Sequence, residues 1–182
     1  MSVLEQQTAI PAGTYEADPG HSSVEFSIRH MGLATIRGRA AEVSAVLDAT
    51  GAVPTLSGTI ETASITTHDE QRDGHLTSPD FFDAARNPQI SFRSTAIDLD
   101  GDRGTVRGEL TIKGNTRPIE LDAIVTGHGE DPWGNSRIGL DLAGVIDRTE
   151  FGVSWNAPLP GGGLLLADNV RLDASFSLVK KS

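Results

Sequence analysis

The side chains best suited to proton transfer or polar recognition in this sequence are five histidines (His21, His30, His68, His75 and His128) and Arg148. A general acid or base must sit beside the reacting group with its pKa near the working pH, which is why histidine is the first residue type to weigh. His30 is the histidine with a defined direction. It extends the alternation Val24, Phe26, Ile28, His30, which puts all four on one face of a strand. A histidine there is either satisfied by backbone or offers a polar contact to the head of an apolar ligand. Arg148 shares the parity of Ile146 and can reach the same side, with an ion pair to Asp147 or Glu150 as the competing reading. His68 and His75 stand seven residues apart among Asp69, Glu70 and Asp73, close to two helical turns. Gly74 interrupts them and the spacing matches no established ligand motif, so no metal site is expected. Asp141 and Asp147 fall opposite the apolar face and read as solvent-facing, not as a paired catalytic carboxylate.

The motifs of common catalytic machinery are missing. There is no Gly-x-Ser-x-Gly, no His-Glu-x-x-His, no phosphate loop and no dinucleotide fingerprint. With no cysteine, disulfides, thiolate zinc sites and cysteine nucleophiles are excluded. Gly161-Gly162-Gly163 has no helix at the right distance and reads as a flexible loop. No catalytic residue is therefore assigned. An enzyme with His30 or His75 as general base is kept as an alternative.

The elements that would position these residues are strands. Apolar residues alternate with polar ones at Val24-Phe26-Ile28, Ile36-Gly38-Ala40, Leu56-Gly58-Ile60, Ile90-Phe92, Val106-Gly108-Leu110-Ile112, Ile119-Leu121-Ala123-Val125, Ile138-Leu140-Leu142 and Val170-Leu172-Ala174-Phe176-Leu178. Phase slips at Ala40/Ala41 and Ala96/Ile97 read as bulges that bend long strands. Asp100-Gly101-Asp102 reads as a hairpin turn. The pattern predicts an all-β protein with a short helical insert: an eight-stranded antiparallel up-and-down, lipocalin-like barrel. Its inward face is thin in bulk at Gly38, Ala40, Gly58, Ser94, Ala96, Gly108, Ala123, Gly144 and Ala174. A barrel of this size either fills itself with side chains or holds one small ligand, and the small residues favour an interior left open for a guest.

Two stretches break the strand pattern. Thr67-His68-Asp69-Glu70 has capping-box spacing, and Ser78-Pro79-Asp80 has an N-cap residue followed by proline and an acid. Two short helices are expected there, carrying Leu76, Phe81 and Phe82 to plug one end of the barrel. Residues 157–168 read as a mobile flap whose leucines touch the barrel mouth or a ligand. Trp133, Phe151 and Trp155 are expected to pack at the rim.

Whole-chain properties bound the partners. At 182 residues, 37% hydrophobic and 22% charged, one globular domain is the default, read here as a leader over 1–13 and a single domain over 14–182. A formal net charge of −10 disfavours nucleic acid and anionic lipid as bulk partners, and the local basic cluster in the sequence is Lys180-Lys181. No apolar run approaches the roughly 18 residues of a membrane span, so no stable membrane insertion is expected. The first residues lack a basic n-region and an apolar h-region, which predicts a cytoplasmic protein.

Several blocks together resemble the YceI family of lipocalin-like, polyisoprenoid-binding proteins. They are Asp18 through His30, Ala63-Ser64-Ile65-Thr66, Arg72-Asp73-Gly74-His75-Leu76, Asp80-Phe81-Phe82-Asp83, Pro88-Gln89-Ile90-Ser91-Phe92, Gly108 through Gly114, Arg148-Thr149-Glu150-Phe151-Gly152 and Asp168-Asn169-Val170. The resemblance implies an internal cavity that holds an isoprenoid lipid, either a polyprenyl chain or an isoprenoid quinone. It implies no cofactor beyond that ligand, and non-enzymatic binding, storage or transport, with homodimer formation left open. A solid-cored stress-response scaffold is the remaining alternative. The ligand-binding candidates are Phe26, Ile28, His30, Leu76, Phe81, Phe82, Phe92, Leu110, Leu140, Arg148, Phe151 and Phe176. Among these, His30 and Arg148 are the head contacts. Tyr15 stands where relatives often carry tryptophan and is expected to shape the mouth.

Overall fold

Alternating apolar residues turn more than half of the chain into strand. The structure is a computed structural model that describes residues 10–182; most of the expected leader lies outside that range. In chain order the strands are β1 (Thr14–Ala17), β2 (Ser23–His30), β3 (Ala34–Ala40), β4 (Val43–Asp48), β5 (Thr55–Glu61), β6 (Ile65–Thr66), β7 (Gln89–Asp100), β8 (Arg103–Ile112), β9 (Asn115–Glu130), β10 (Ser136–Asp147) and β11 (Leu166–Lys180). The helix α1 spans Glu70–Thr77.

β1 pairs with both β4 and β11, and this closes the sheet into a barrel. β2 pairs with β11 farther along, and β3 with β2. β1 with β2, and β3 with β4, therefore act as two long barrel strands, each interrupted once. Counted so, the barrel has eight antiparallel strands in up-and-down order, the architecture the sequence predicts. The interruption at Ala41-Glu42 coincides with the first phase slip, and Ser64 satisfies the freed backbone: its carbonyl accepts from Ala41 N and its Oγ from Glu42 N. The second slip is a register shift between Ser94 and Ala96, where Ser94 Oγ accepts from Leu56 N.

The two ends of the barrel differ. At the end where β1 docks, Tyr15, Leu47, Leu56, Val106, Leu121, Ile138, Leu140, Leu142 and Leu178 pack into a solid core. Leu47 and Leu178 have no exposed surface at all. Leu140 belongs to this core and does not face the open interior expected for it. Tyr15 is likewise at the closed end, not the mouth, with its hydroxyl donating to the Pro11 carbonyl at 3.0 Å. Arg137 pins this end from outside. It donates to Asp18 at 2.9 Å, to Asp131 at 2.8 Å and to Ser177 Oγ at 3.1 Å. The Arg137 hydrogen bond, with help from His21 and the Gly20 amide, pulls the Asp18 carboxyl down to about 2. Asp131 is held well below the usual carboxylate range by Arg137 and the Asn135 amide.

Several inward glycines are not voids. A Cβ on Gly38 would collide with the Phe26 ring, one on Gly108 with the Phe92 ring, and one on Gly144 with the Leu121 side chain. Large neighbours thus fill the room that small residues leave, because interiors close to near-crystalline density wherever side chains can reach. The interior stays open only toward the other end.

The insert contains one α-helix, not two. Asp69, not Thr67, caps α1, accepting from Arg72 N at 3.0 Å. Thr67 is buried and donates instead to Asp73 at 2.6 Å. Ser78 ends the helix, its hydroxyl donating to the His75 carbonyl at 2.6 Å. The amides of Phe81 and Asp83 then both return to the Ser78 carbonyl, and Phe82 N to the Leu76 carbonyl. These tight turns fold Phe81 and Phe82 back over the barrel end, which a straight second helix would not do.

Candidate ligand-binding site

The open half of the barrel encloses a cavity of about 380 Å³, within the usual range for small-molecule sites. Its walls follow from strand parity. Phe26, Ile28 and Ile36 come from β2 and β3, Ile60, Ile90 and Phe92 from β5 and β7, Leu110 from β8, Ile146 from β10, and Val170 and Leu172 from β11. The solid core supplies the floor through Leu56, Leu121, Leu142 and Phe176. Leu76, Phe81 and Phe82 of the insert, Leu165 of the long β10–β11 loop and Leu166 at the start of β11 complete the upper part.

Of the candidates named from the sequence, Phe26, Ile28, His30, Leu76, Phe81, Phe82, Phe92, Leu110, Arg148, Phe151 and Phe176 line this cavity, and Leu140 does not. His75, Trp155, Arg72 and Thr67 also line it, beyond the ligand-binding candidates that the sequence offers. Ile60, Ile90, Ile146 and Leu172 carried the same parity signal as Phe26. His75 and Trp155 carried none, since they sit on a helix and an irregular loop.

These two meet Phe81 in an aromatic cluster near the mouth. The His75 ring lies 4.8 Å from Trp155 and 4.9 Å from Phe81, both edge-on. His75 Nε2 is 2.9 Å from Asp80 Oδ2, which sets the ring's orientation. Arg148 is the buried cation of the site, 5% exposed. It does not pair with Asp147 or Glu150. Asp147 turns to Thr149, whose amide and hydroxyl both donate to it. Arg148 instead braces the loop that follows: Nε donates to the Ala167 carbonyl at 2.9 Å, and Nη1 to the Val153 carbonyl at 2.7 Å and the Trp155 carbonyl at 2.9 Å. Its Nη2 has no hydrogen-bond partner among the described residues, with Asp168 Oδ1 3.9 Å away. Burial pushes the guanidinium pKa down, and Asp168 and Asp147 oppose that. Arginine keeps its proton under such pressure, so a charged donor with spare capacity stands in the cavity wall.

The β10–β11 loop is a hydrogen-bonded ribbon. Asn156 accepts from Leu166 N at 2.9 Å and donates to the Leu166 carbonyl at 2.8 Å, while Leu165 N reaches the Ala157 carbonyl at 2.9 Å. Its leucines divide: Leu165 and Leu166 face the cavity, and Leu164 is exposed. Apart from polar groups such as His30, Thr67, Arg72, His75 and Arg148, the lining is largely hydrocarbon and aromatic, which holds apolar matter. Among the described residues no group of three or more histidines or carboxylates could hold a metal ion. No helix among them is long and apolar enough to cross a membrane.

Comparison with known proteins agrees with this architecture. The profile of the YceI-like domain matches residues 15–178. A UPF0312 protein of Pectobacterium atrosepticum is 33% identical over 159 residues, covering 85% of this chain and 83% of its own. The crystal structure of Burkholderia cenocepacia BcnA superposes with a TM-score of 0.75 at 26% identity, covering 91% of this chain and 99% of BcnA. A polyisoprenoid binding domain from Saccharophagus degradans shares the fold, with a TM-score of 0.69 at 13% identity over 94% of this chain and 100% of that domain.

Proposed function

The chain belongs to the YceI-like domain family, and on that premise we propose that it binds one isoprenoid lipid, a polyprenyl chain or an isoprenoid quinone, and stores or carries it without chemical change. The observation that carries this reading is the apolar cavity, floored by solid core at one end, with the buried Arg148 Nη2 unpartnered among the described residues in its wall. A branched hydrocarbon tail fits the lining chemically. Each buried methylene contributes about 0.8 kcal/mol relative to water, so a five-carbon isoprene unit gains roughly 3–4 kcal/mol gross. A bilayer offers a tail the same environment. Net preference for the protein therefore depends on shape and on the polar head, which is where Arg148 and the His75–Phe81–Trp155 cluster enter. A carbonyl or phosphate oxygen accepting from Nη2 would complete the guanidinium's bonding and face the aromatic rings. The Saccharophagus domain of the same fold, described as polyisoprenoid binding, supports this ligand class.

Native mass spectrometry tests the proposal. The purified protein is expected to carry a co-purifying lipid, or after delipidation to take up one molecule of an added isoprenoid quinone. Neither co-purifying lipid nor uptake of any isoprenoid would end it. Chemical conversion of the bound molecule would transfer the site to the enzymatic reading, with His75 and Asp80 as the pair to mutate.

A further inference from the structure

The rim of the cavity carries an exposed apolar patch that the interior does not need. Met31 is 44% exposed and Leu33 78% at the tip of the β2–β3 hairpin, and Leu164 is 58% exposed on the neighbouring loop. A hydrogen bond from Met31 N to the Leu165 carbonyl, 2.7 Å long, ties the two segments together. Both are uncharged: residues 31–36 and 151–165 contain no Asp, Glu, Lys or Arg. The same segments supply Ile36, Leu165 and Trp155 to the cavity, so the patch frames its mouth.

Behind the tip lies a basic band that the linear sequence conceals. Strand alternation puts Arg29 on the outer face of β2 and Arg37 and Arg39 on that of β3. Ser27 is opposite Arg37, and Arg29 opposite Thr35, so Arg29 and Arg37 are diagonal neighbours. All three arginines are exposed, and none has a carboxylate within 4.0 Å among the described residues. Arg29 donates to the Gly32 carbonyl at 2.9 Å and to Thr35 at 3.1 Å, which holds the tip in shape. Arg171 lies across from Ser27 but is paired with Asp173. Glu25 and Asp173 face each other one rung farther from the tip than Arg37, and Glu25 is also the ladder partner of Arg39. Other acids near this end, Asp69, Glu70 and Glu150, sit on the insert and the turn after β10, and Asp168 stands beside Arg148.

We propose that this side of the mouth docks on an anionic lipid bilayer, with Met31, Leu33 and Leu164 entering the interface and Arg29 and Arg37 meeting the headgroups. The inference rests on the cargo being a membrane lipid, and it explains why apolar and basic groups are gathered at the opening of a chain with net charge −10. Apolar area and cationic attraction to anionic lipid act together in such surfaces. The acidic remainder of the barrel is repelled by the same membrane, which favours the mouth-down orientation. Docked this way, a tail passes from bilayer to cavity without crossing water.

Co-sedimentation with phosphatidylcholine vesicles, with and without phosphatidylglycerol, tests the proposal on the intact protein. The protein is expected to bind the anionic vesicles, less so at high salt, and to bind the neutral ones weakly. Leu33→Asp combined with Leu164→Asp should abolish binding, and Arg37→Gln should weaken it about fivefold, the value of one headgroup-facing cation. All three positions are exposed, so melting temperatures should stay unchanged. Uptake of an isoprenoid quinone from detergent solution, followed in parallel, isolates the cavity from the surface. Uptake without vesicle binding overturns docking and leaves the carrier reading standing; loss of both overturns both. Vesicle binding undiminished in the double variant also overturns docking. Concentration-dependent self-association that the double variant abolishes, with no vesicle binding, would assign the patch to a second copy instead.

Discussion

The Phe26 ring occupies the space that a side chain on Gly38, its partner across the β2–β3 ladder, would need. Phe92 fills the space over Gly108 from a diagonal position, Gly108 itself being opposite Ser94. Glycine on one strand lets an aromatic side chain on the next lie close to the sheet, so the ring becomes wall. Cavity width at these levels is therefore set by the pair, not by either residue.

Placing a side chain at that spot should push the ring inward. Gly38 has no positive φ, so Gly38→Val strains packing and not backbone conformation. Overpacking of this kind costs typically about 1–3 kcal/mol. Urea denaturation should show that loss, and uptake of an isoprenoid quinone should fall with it, because Phe26 moves into the cavity.

The solid end should respond differently. Leu140 is 3% exposed in the closed core, and Leu140→Ala should cost about 2–5 kcal/mol by chemical denaturation. Quinone stoichiometry measured by native mass spectrometry on the folded fraction should not change. A lost ligand in this variant would show that the binding site extends below the floor to Leu140.

Arg148 should act first on the loop it braces. Arg148→Met removes donors to three backbone carbonyls, each charged hydrogen bond being worth about 1.5–3 kcal/mol. Amide exchange over residues 153–167 should accelerate while the closed core stays protected. Arg148→Lys should restore little, since an ammonium cannot span the fork that reaches Ala167, Val153 and Trp155.

Low pH should dissolve the Arg137 staple. Asp18 ionises at about 2 when folded, below its unfolded value of roughly 3.9. The staple's stabilisation is therefore complete above the ordinary carboxylate range and lost as pH falls through the folded value. Arg137→Met should be less stable than the parent at neutral pH, and the gap should close as the pH drops below the carboxylate range. A gap that persists in strong acid would mean the arginine acts by packing.

The two tryptophans separate ligand binding from surface effects. Trp133 is 81% exposed at the far end, whereas Trp155 lines the cavity against His75. In Trp133→Phe, adding an isoprenoid quinone should quench the remaining emission; in Trp155→Phe it should leave Trp133 emission nearly unchanged. Equal responses from both would place the quinone outside the barrel.

Particular residues show how far the one-dimensional reading reached. Period-two alternation is a local steric property of strands, so it places Phe26, Ile28, Phe92, Leu110 and Phe176 on the inner face, where they line the cavity. Leu140 obeys the same alternation, but alternation carries no depth and could not say that it lies below the cavity floor. The helix expected at Ser78-Pro79-Asp80 has correct capping chemistry, yet long-range packing of Phe81 and Phe82 on the barrel favours turns. Arg29, Arg37 and Arg39 form no run of basic residues along the chain, and only the β2–β3 pairing brings them onto one face.

The sequence by itself determined the strands, the bends, the closed antiparallel order and the apolar character of the inner face, because each rests on local geometry and on which side chains avoid water. Only the tertiary structure decided where that inner face meets itself as solid core and where it stays open. It also decided that Arg148 turns from its neighbouring carboxylates to brace both ends of the loop that follows it. Those outcomes depend on which side chains from remote strands arrive at the same level of the barrel, and that is fixed by register, tilt and closure together.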